Sequence, residues 1–155
     1  MISPLPLAAA ALLATYNCSV EQPQAFARGA DGKIAATDLQ IPTHSPDDWK
    51  FSLRVTQDHD GYVADIVWPA NPIDVSGRFS ALPTAPASYA FVALARGPCL
   101  FTEQMCMSLV NLVATGRGDA AITITPSALA QNMDKTRSPF VVFFEGVCAE
   151  GKRGQ

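Results

Sequence analysis

Hydrophobic and polar residues alternate along most of this chain, and a period of two predicts β-strands that are buried on one face. The clearest case is Trp49–Thr56, in which four large apolar side chains alternate with polar ones. Residues 62–68 repeat the pattern. Between these two segments, Asp60-Gly61 predicts a hairpin with a type I′ turn, because both central positions of that turn need a positive φ.

Similar patterns predict most of the remaining elements. Further strands are predicted at residues 15–21, 75–82, 88–95, 108–114, 121–125 and 139–148, with one short strand near 33–37 in the irregular stretch 22–48. Ser88–Ala95 is apolar on both faces, which predicts a central strand that is covered on both sides. Pro126–Gln131 is predicted to form one helical turn with Ser127 as its cap. Pro69, Pro72, Pro83 and Pro86 are expected at connections or edges, because proline cannot donate to a β-ladder.

The strand spacing and the length of the chain together predict the fold class. Outside the first residues, no stretch longer than about ten residues shows the period of a helix. The chain has 155 residues and a mass of 16.5 kDa, which suits one domain. We therefore expect an all-β fold, a single-domain antiparallel β-sandwich or small barrel of about 7–9 short strands, stapled by disulfides.

The first residues resemble a leader for export. Residues 7–15 form a short apolar run that ends in small residues, which is typical of a signal peptide and too short to span a bilayer. No Lys or Arg precedes this run, and the alternative is a buried N-terminal helix or strand. The predicted division is a signal peptide at 1–14, one β-domain at 15–150 and a flexible C-terminal tail at 151–155. The predicted location is periplasmic or extracellular, with no transmembrane segment.

The chain has four cysteines, and this number supports export. An even number of cysteines in a short exported chain indicates disulfides. Four cysteines allow three pairings, of which we favour Cys18–Cys148 and Cys99–Cys106. The first pair would join the first and last strands on their apolar faces, and the second would close a small loop. A zinc site is the alternative, but the spacing of Cys99 and Cys106 fits no common zinc finger. No metal and no cofactor are predicted.

Composition and charge exclude two function classes. Hydrophobic residues make up 48% and charged residues 16% of the chain, which excludes a disordered protein. The net charge is −3 and the basic residues occur singly, so no nucleic-acid partner is expected.

Residues that could carry catalysis are few. The two histidines, His44 and His59, would each be compatible with a small secreted hydrolase, but nothing in the sequence locates a nucleophile. Asp58-His59-Asp60-Gly61 is similar to half of a calcium loop, yet it leads directly into a predicted strand. We interpret it as a polar hairpin tip, and no catalytic residue is assigned.

The segment from Gly97 to Met107 is the most unusual part of the sequence. A Cys99–Cys106 bond would make it a rigid loop that carries four candidate binding residues: Leu100, Phe101, Glu103 and Gln104. Rigid loops with apolar anchors lose little entropy on binding. In the alternative, Leu100 and Phe101 face the core and the disulfide is only a staple.

Function is therefore predicted only in outline. The expected protein is an exported, non-enzymatic binding or interaction protein, inhibitor-like in its use of the 99–106 loop, with another envelope or extracellular protein as its partner. The alternatives are the small secreted hydrolase and a structural envelope component. The latter would assemble through a free strand edge on Thr15–Glu21.

Overall fold

The structure is a computed structural model that describes residues 11–21, 24–37, 45–73, 75–99, 102–131 and 137–151, with the backbone alone at 27, 37, 95–99, 102–106, 127–131 and 137–141. Ten strands follow one another along the chain: β1 (Ala11–Val20), β2 (Gln24–Arg28), β3 (Ile34–Thr37), β4 (Lys50–Asp58), β5 (Gly61–Val67), β6 (Gly77–Ala85), β7 (Ser88–Cys99), β8 (Thr102–Ala114), β9 (Asp119–Gln131) and β10 (Arg137–Glu150). A 3₁₀ turn, Pro46–Trp49, leads into β4. No helix in these ranges is long and apolar enough to cross a membrane.

Eight of the strands close into an antiparallel barrel, in the order β1-β4-β5-β6-β7-β8-β9-β10 with β10 pairing back to β1. The predicted all-β class is confirmed, and the barrel is the architecture that forms. The remaining strands, β2 and β3, form a hairpin that lies beside the barrel, so the described residues contain ten strands instead of 7–9. Strands β7 to β10 have 12 to 14 residues each and are longer than expected.

Strand β10 has a different neighbour along each half of the same edge. Residues Phe140–Phe143 pair with β2, whereas Gly146–Glu150 pair with β1. The change occurs at Gly146, where an added Cβ would lie only 2.2 Å from the carbonyl oxygen of Ser19. A glycine at this position therefore allows the last strand to approach the first and close the barrel.

Alternate side chains fill the barrel interior, as the period of two predicts. The largest fully buried ones are Phe144, Leu53, Leu112, Ile122, Ile124, Val55, Val75, Val110, Val142 and Cys148. The interior is therefore a packed core, and the surfaces available for binding lie on the outside of the barrel.

Aromatic residues close the end of the barrel at which β4 begins. Trp68 stacks on Phe51 with ring centroids 4.5 Å apart, and Trp49 contacts both Trp68 and Phe144. The indole N–H of Trp68 donates to the carbonyl oxygen of Asp48 at 2.6 Å, so its polar atom has a partner despite burial. This packing fixes the connection between the 3₁₀ turn and β4.

Three tyrosines lie toward the opposite end of the barrel. Tyr62 and Tyr89 have ring centroids 5.7 Å apart, and Tyr16 is near enough to Tyr89 for the two hydroxyls to interact electrostatically. Tyr16 and Tyr89 are buried. Burial raises the pKa of both hydroxyls, with a further contribution from Glu150 at Tyr16 and from Tyr62 at Tyr89.

Two local predictions are corrected by the structure. Pro126–Gln131 is not a helical turn but the second half of β9, and Pro126 pairs with Ser108 of β8. The strand continues because β10 pairs with residues 127–131, whereas β8 pairs only as far as Ser127, and a local pattern does not reveal such a partner. Strand β7 is not covered on both sides, since Val92 and Leu94 are exposed on its outer face.

The hairpin between β4 and β5 forms as predicted, but its turn is shifted by one residue. The two central residues are His59 and Asp60, because Asp58 pairs with Gly61. Neither central residue has a positive φ, so the turn is not type I′. The following residue, Gly61, has a positive φ of 134°. The carboxylate of Asp58 stabilises this turn by accepting the backbone N–H of Asp60 at 2.9 Å.

The predicted chain division is not tested by the structure. Residues 1–10 and 152–155 lie outside the described residues, whereas Ala11–Thr15 form the first half of β1 and pair with β4. Cleavage after Ala14 would leave Tyr16–Val20, the part of β1 that pairs with β10.

Candidate functional site

The outer face of β6, β7 and β8 carries a continuous set of exposed apolar side chains. The register places Val92 of β7 opposite Leu109 of β8, and Leu94 opposite Met107. On the other side of β7, Leu82 of β6 lies opposite Ala90 and is 71% exposed. Scattered exposed hydrophobic residues are ordinary on a protein surface, but a contiguous group indicates an interaction site.

A groove runs through this face where β6 and β7 separate. The two strands pair from Ala85–Ser88 to Ala81–Phe91 and no further. The space between them has a volume of about 730 Å³. The side chains that point outward along it are those of Arg78, Ser80, Leu82, Val92, Leu94 and Leu109, and we call this surface the outer groove.

Two aromatic rings form the floor of the outer groove. Phe79 of β6 and Phe91 of β7 stack at a centroid distance of 5.8 Å, with planes 11° apart. Their contact bridges the strands at the point where backbone pairing stops, and Phe91 is buried. An added Cβ on Gly77 would lie 3.0 Å from Phe79, so this glycine leaves room for the ring. The core is thereby sealed beneath the groove.

One charged side chain, Arg78, lies at the rim of the outer groove. Its guanidinium is 4.0 Å from the carboxylate of Asp58, which is the limit of an ion pair, and the Arg78 side chain is 62% exposed. Because the Arg78 side chain is largely in solvent and the distance is long, this pair contributes little to stability. Arg78 can therefore turn toward an acidic group in the groove at small cost.

A second, smaller groove crosses the outside of the seam between β1 and its neighbours. Its volume is about 560 Å³, and its lining includes Asn17, Ser19, Lys50, Val67 and Val147. The ammonium group of Lys50 lies 2.7 Å from the carboxylate of Asp47. This hydrogen bond keeps the pKa of Asp47 below its ordinary value. The backbone here is paired on both sides, because β1 has both β4 and β10 as neighbours.

The predicted disulfide between Cys18 and Cys148 is present. The two residues lie opposite each other on β1 and β10, with Cα atoms 4.0 Å apart and both side chains buried. It therefore crosses the seam that closes the barrel.

The candidate binding segment lies at the end of the β7–β8 hairpin. Leu100 and Phe101 lie outside the described residues, and the side chains of Cys99, Glu103, Gln104 and Cys106 are likewise not described. The backbone pairs Cys99 with Thr102 and Pro98 with Met105, which places Cys106 further from the tip than Cys99. The Cys99–Cys106 bond stays a prediction.

The polar turn at Asp58, His59 and Asp60 brings together groups that could hold a cation. Their ligand atoms lie within 4.8 Å of one another, and the His59 Nε2 is 3.1 Å from the Asp60 carboxylate. The guanidinium of Arg78 already faces Asp58, and His59 and Asp60 are exposed. The arrangement is that of the polar hairpin tip inferred from the sequence. His44 lies outside the described residues.

Comparison of the sequence with protein-family models and with curated proteins finds no match. The interpretation of the surface therefore depends on its own geometry. Sequence reasoning did not find the outer groove. The relevant signal was the apolar character of both faces of Ser88–Ala95, which we interpreted as burial on both sides.

Proposed function

We propose that this chain is an exported, non-enzymatic binding protein that recognises another polypeptide through the outer groove. The observation that carries the proposal is the apolar groove between β6 and β7, on the outside of a barrel whose interior is filled. A packed barrel leaves the outer face as the surface for recognition. Apolar walls with one charged side chain at the rim are typical of protein-recognition grooves.

The disulfide supports export. Cys18 and Cys148 form a buried bond between the first and last strands of the barrel. Structural disulfides persist in oxidising compartments and are rare in the cytosol. The proposed compartment is therefore periplasmic or extracellular, where the partner would be another envelope or extracellular protein.

The described part of the predicted 99–106 segment belongs to two strands that also carry groove residues. Strands β7 and β8 run from Val92 and Leu109, which line the groove, to Cys99 and Thr102, whose backbones pair. An inhibitor-like mode would use both regions, with the tip inserted into the partner and the groove holding the surrounding surface. In that mode Leu100 and Phe101 are the apolar anchors, with Glu103 and Gln104 beside them.

The other functions weighed from the sequence receive less support from the geometry. The structural envelope component was expected to have a free edge on Thr15–Glu21, whereas β1 pairs on both sides and the Glu21 N–H donates to Glu145. The hydrolase would need a nucleophile beside a histidine. His59 instead contacts a carboxylate on an exposed turn.

A selection from random displayed peptides tests the proposed function. The full chain, immobilised with its disulfide intact, should enrich peptides rich in apolar residues. Leu109→Lys should weaken binding of the enriched peptides by about tenfold or more, because a charge replaces a buried leucine contact. The control is Val113→Lys, an equally exposed valine on β8 that does not line the groove.

Two results would contradict the proposed function. In one, no peptide is enriched over an unrelated disulfide-bonded barrel. In the other, Val113→Lys weakens the enriched peptides as much as Leu109→Lys does, which would indicate nonspecific adhesion to the apolar surface.

A further inference from the structure

The two walls of the outer groove are unpaired strand edges. Residues Gly77–Ser80 of β6 pair with β5 on one side, and no described strand pairs with their other side. Beyond Phe91, β7 pairs with β8 alone among the described strands. Each edge therefore directs backbone N–H and C=O groups into the groove at alternate residues, and these groups need hydrogen-bond partners.

The edge of β7 is open over a short stretch only. Proteins protect exposed strand edges with charged residues, prolines, bulges or short length. Beyond Leu94 the chain carries Arg96 and Pro98, and the β7–β8 register shifts there. Val92–Leu94 carries no charge, no proline and no register shift, and it presents two apolar side chains outward.

The groove beside it distinguishes the β7 edge from another described edge of the sheet. Strand β3 is the last strand in the sheet order and has only four residues. A short edge strand offers few hydrogen bonds to an incoming chain. The stretch Val92–Leu94 is also short, but it lies beside a groove with apolar walls, where side-chain contacts add to the main-chain hydrogen bonds.

We propose that the outer groove binds its partner by strand addition, with an extended polypeptide segment pairing against the Val92–Leu94 edge of β7. This inference rests on the proposed function and specifies the chemistry of recognition. Main-chain hydrogen bonds along the edge supply affinity, and the apolar walls select alternate apolar side chains. Leu82, Leu94 and Leu109 are the side chains that would contact them.

The backbone edges decide between a polypeptide and a lipid as the occupant. A hydrocarbon chain would cover the apolar walls, but it would also displace water from the unpaired N–H and C=O groups. Those groups would lose their hydrogen bonds to water and gain none, which is costly. An extended peptide replaces those bonds. The charge of Arg78 adds a preference for a segment with an acidic residue near the rim.

Amide exchange and backbone methylation test this inference. The probe is a synthetic peptide from the displayed selection, bound to the full chain. We expect slower hydrogen exchange at the amides of Val92–Leu94 that face the groove. N-methylation of the peptide at alternate residues should lower affinity by about tenfold or more at one set of positions and little at the other, because a strand directs alternate N–H groups to its neighbour.

Three variants test the edge, a control position outside the groove and the charge at the rim. Leu94→Lys places a protecting charge at the edge and should abolish binding, while Val113→Lys should bind as the unmodified chain does. Arg78→Glu should shift the preference from peptides with an acidic residue to peptides with a basic one. Near-native circular dichroism and an intact Cys18–Cys148 bond would show that each variant folds.

The outcomes that overturn strand addition differ from those that overturn the proposed function. Peptides that bind and depend on Leu109, but tolerate every N-methylation and leave exchange at Val92–Leu94 unchanged, would overturn strand addition and leave the proposed function standing. Protection of this edge by oleate, with release of the peptide, would assign the groove to a lipid. A concentration-dependent dimer that protects it without peptide would assign it to a second copy.

Discussion

Tyr16 and Tyr89 show how burial of a single polar group couples stability to pH. Both side chains lie in the barrel interior, and burial is the largest cause of the raised pKa of each hydroxyl. A tyrosine is neutral below its pKa, so the fold favours the protonated form. The unfolded chain, with an ordinary pKa of about 10, releases these protons first as pH rises.

We therefore expect the free energy of unfolding to decrease at high pH because of these two residues. Their contribution is constant well below about pH 10 and falls as pH rises through the raised folded-state pKa values. The slope is at most about 1.4 kcal/mol per pH unit for each tyrosine. Urea unfolding between about pH 8 and pH 11.5 measures it. The double variant Tyr16→Phe, Tyr89→Phe should show a shallower loss, and equal slopes in both proteins would contradict the assignment.

Strand β10 illustrates how an element can serve two partners along one edge. Its first half pairs with β2 and its second half with β1, and the transition requires close backbone approach at Gly146. Phe143, on the half beside β2, packs edge-to-face on Phe26 with centroids 6.1 Å apart. The extra hairpin and the closed barrel are thus both attached to the same strand.

Gly146→Ala should destabilise the barrel by about 1–3 kcal/mol, because the new methyl group would overlap the Ser19 carbonyl and force the strands apart. Chemical denaturation measures the change. The matched control is Gly151→Ala at the same seam, where the added Cβ would lie 3.3 Å from the Thr15 carbonyl oxygen. Equal losses in the two variants would show that close approach at Gly146 is not the cause.

The whole molecule is closed by contacts between its two ends in sequence. The barrel forms only when β1 meets β10, and Cys18–Cys148 joins residues 130 positions apart across that seam. A covalent link of this span removes much of the conformational entropy of the unfolded chain. Stability is therefore supplied at the seam and by the core, while the outer groove lies on the far side of the barrel.

Removal of the seam disulfide should have a large effect. On the chain-entropy estimate, Cys18→Ala with Cys148→Ala lowers the free energy of unfolding by about 4–5 kcal/mol. The control is Cys99→Ala with Cys106→Ala, which would open a much shorter loop and cost about 2 kcal/mol if that bond forms. Equal losses from the two pairs would contradict the entropic role of the seam, and non-reducing peptide mapping reports which bonds exist.

Local alternation predicted the strands well because it depends only on which face of each residue is buried. The segments Trp49–Thr56 and 62–68 became β4 and β5 with a two-residue hairpin between them. The pairing of Cys18 with Cys148 was predicted because both cysteines lie on apolar faces of terminal strands. The same reasoning failed at Pro126–Gln131, where pairing with the neighbouring strand β10 decides the conformation of most of the segment.

The alternation of residues along the chain is enough to predict the all-β class, most strand positions and the inward face of each strand, since these follow from neighbouring residues. The closure of the sheet at β1 and β10 and the separation of β6 and β7 beyond Phe91 are visible only in the folded barrel. Both depend on contacts between residues distant in sequence. The exposed apolar residues Val92 and Leu94 cannot be distinguished from core residues in the sequence. Hydrophobicity indicates that a side chain favours burial, but it does not indicate whether the protein's own core or a binding partner buries it.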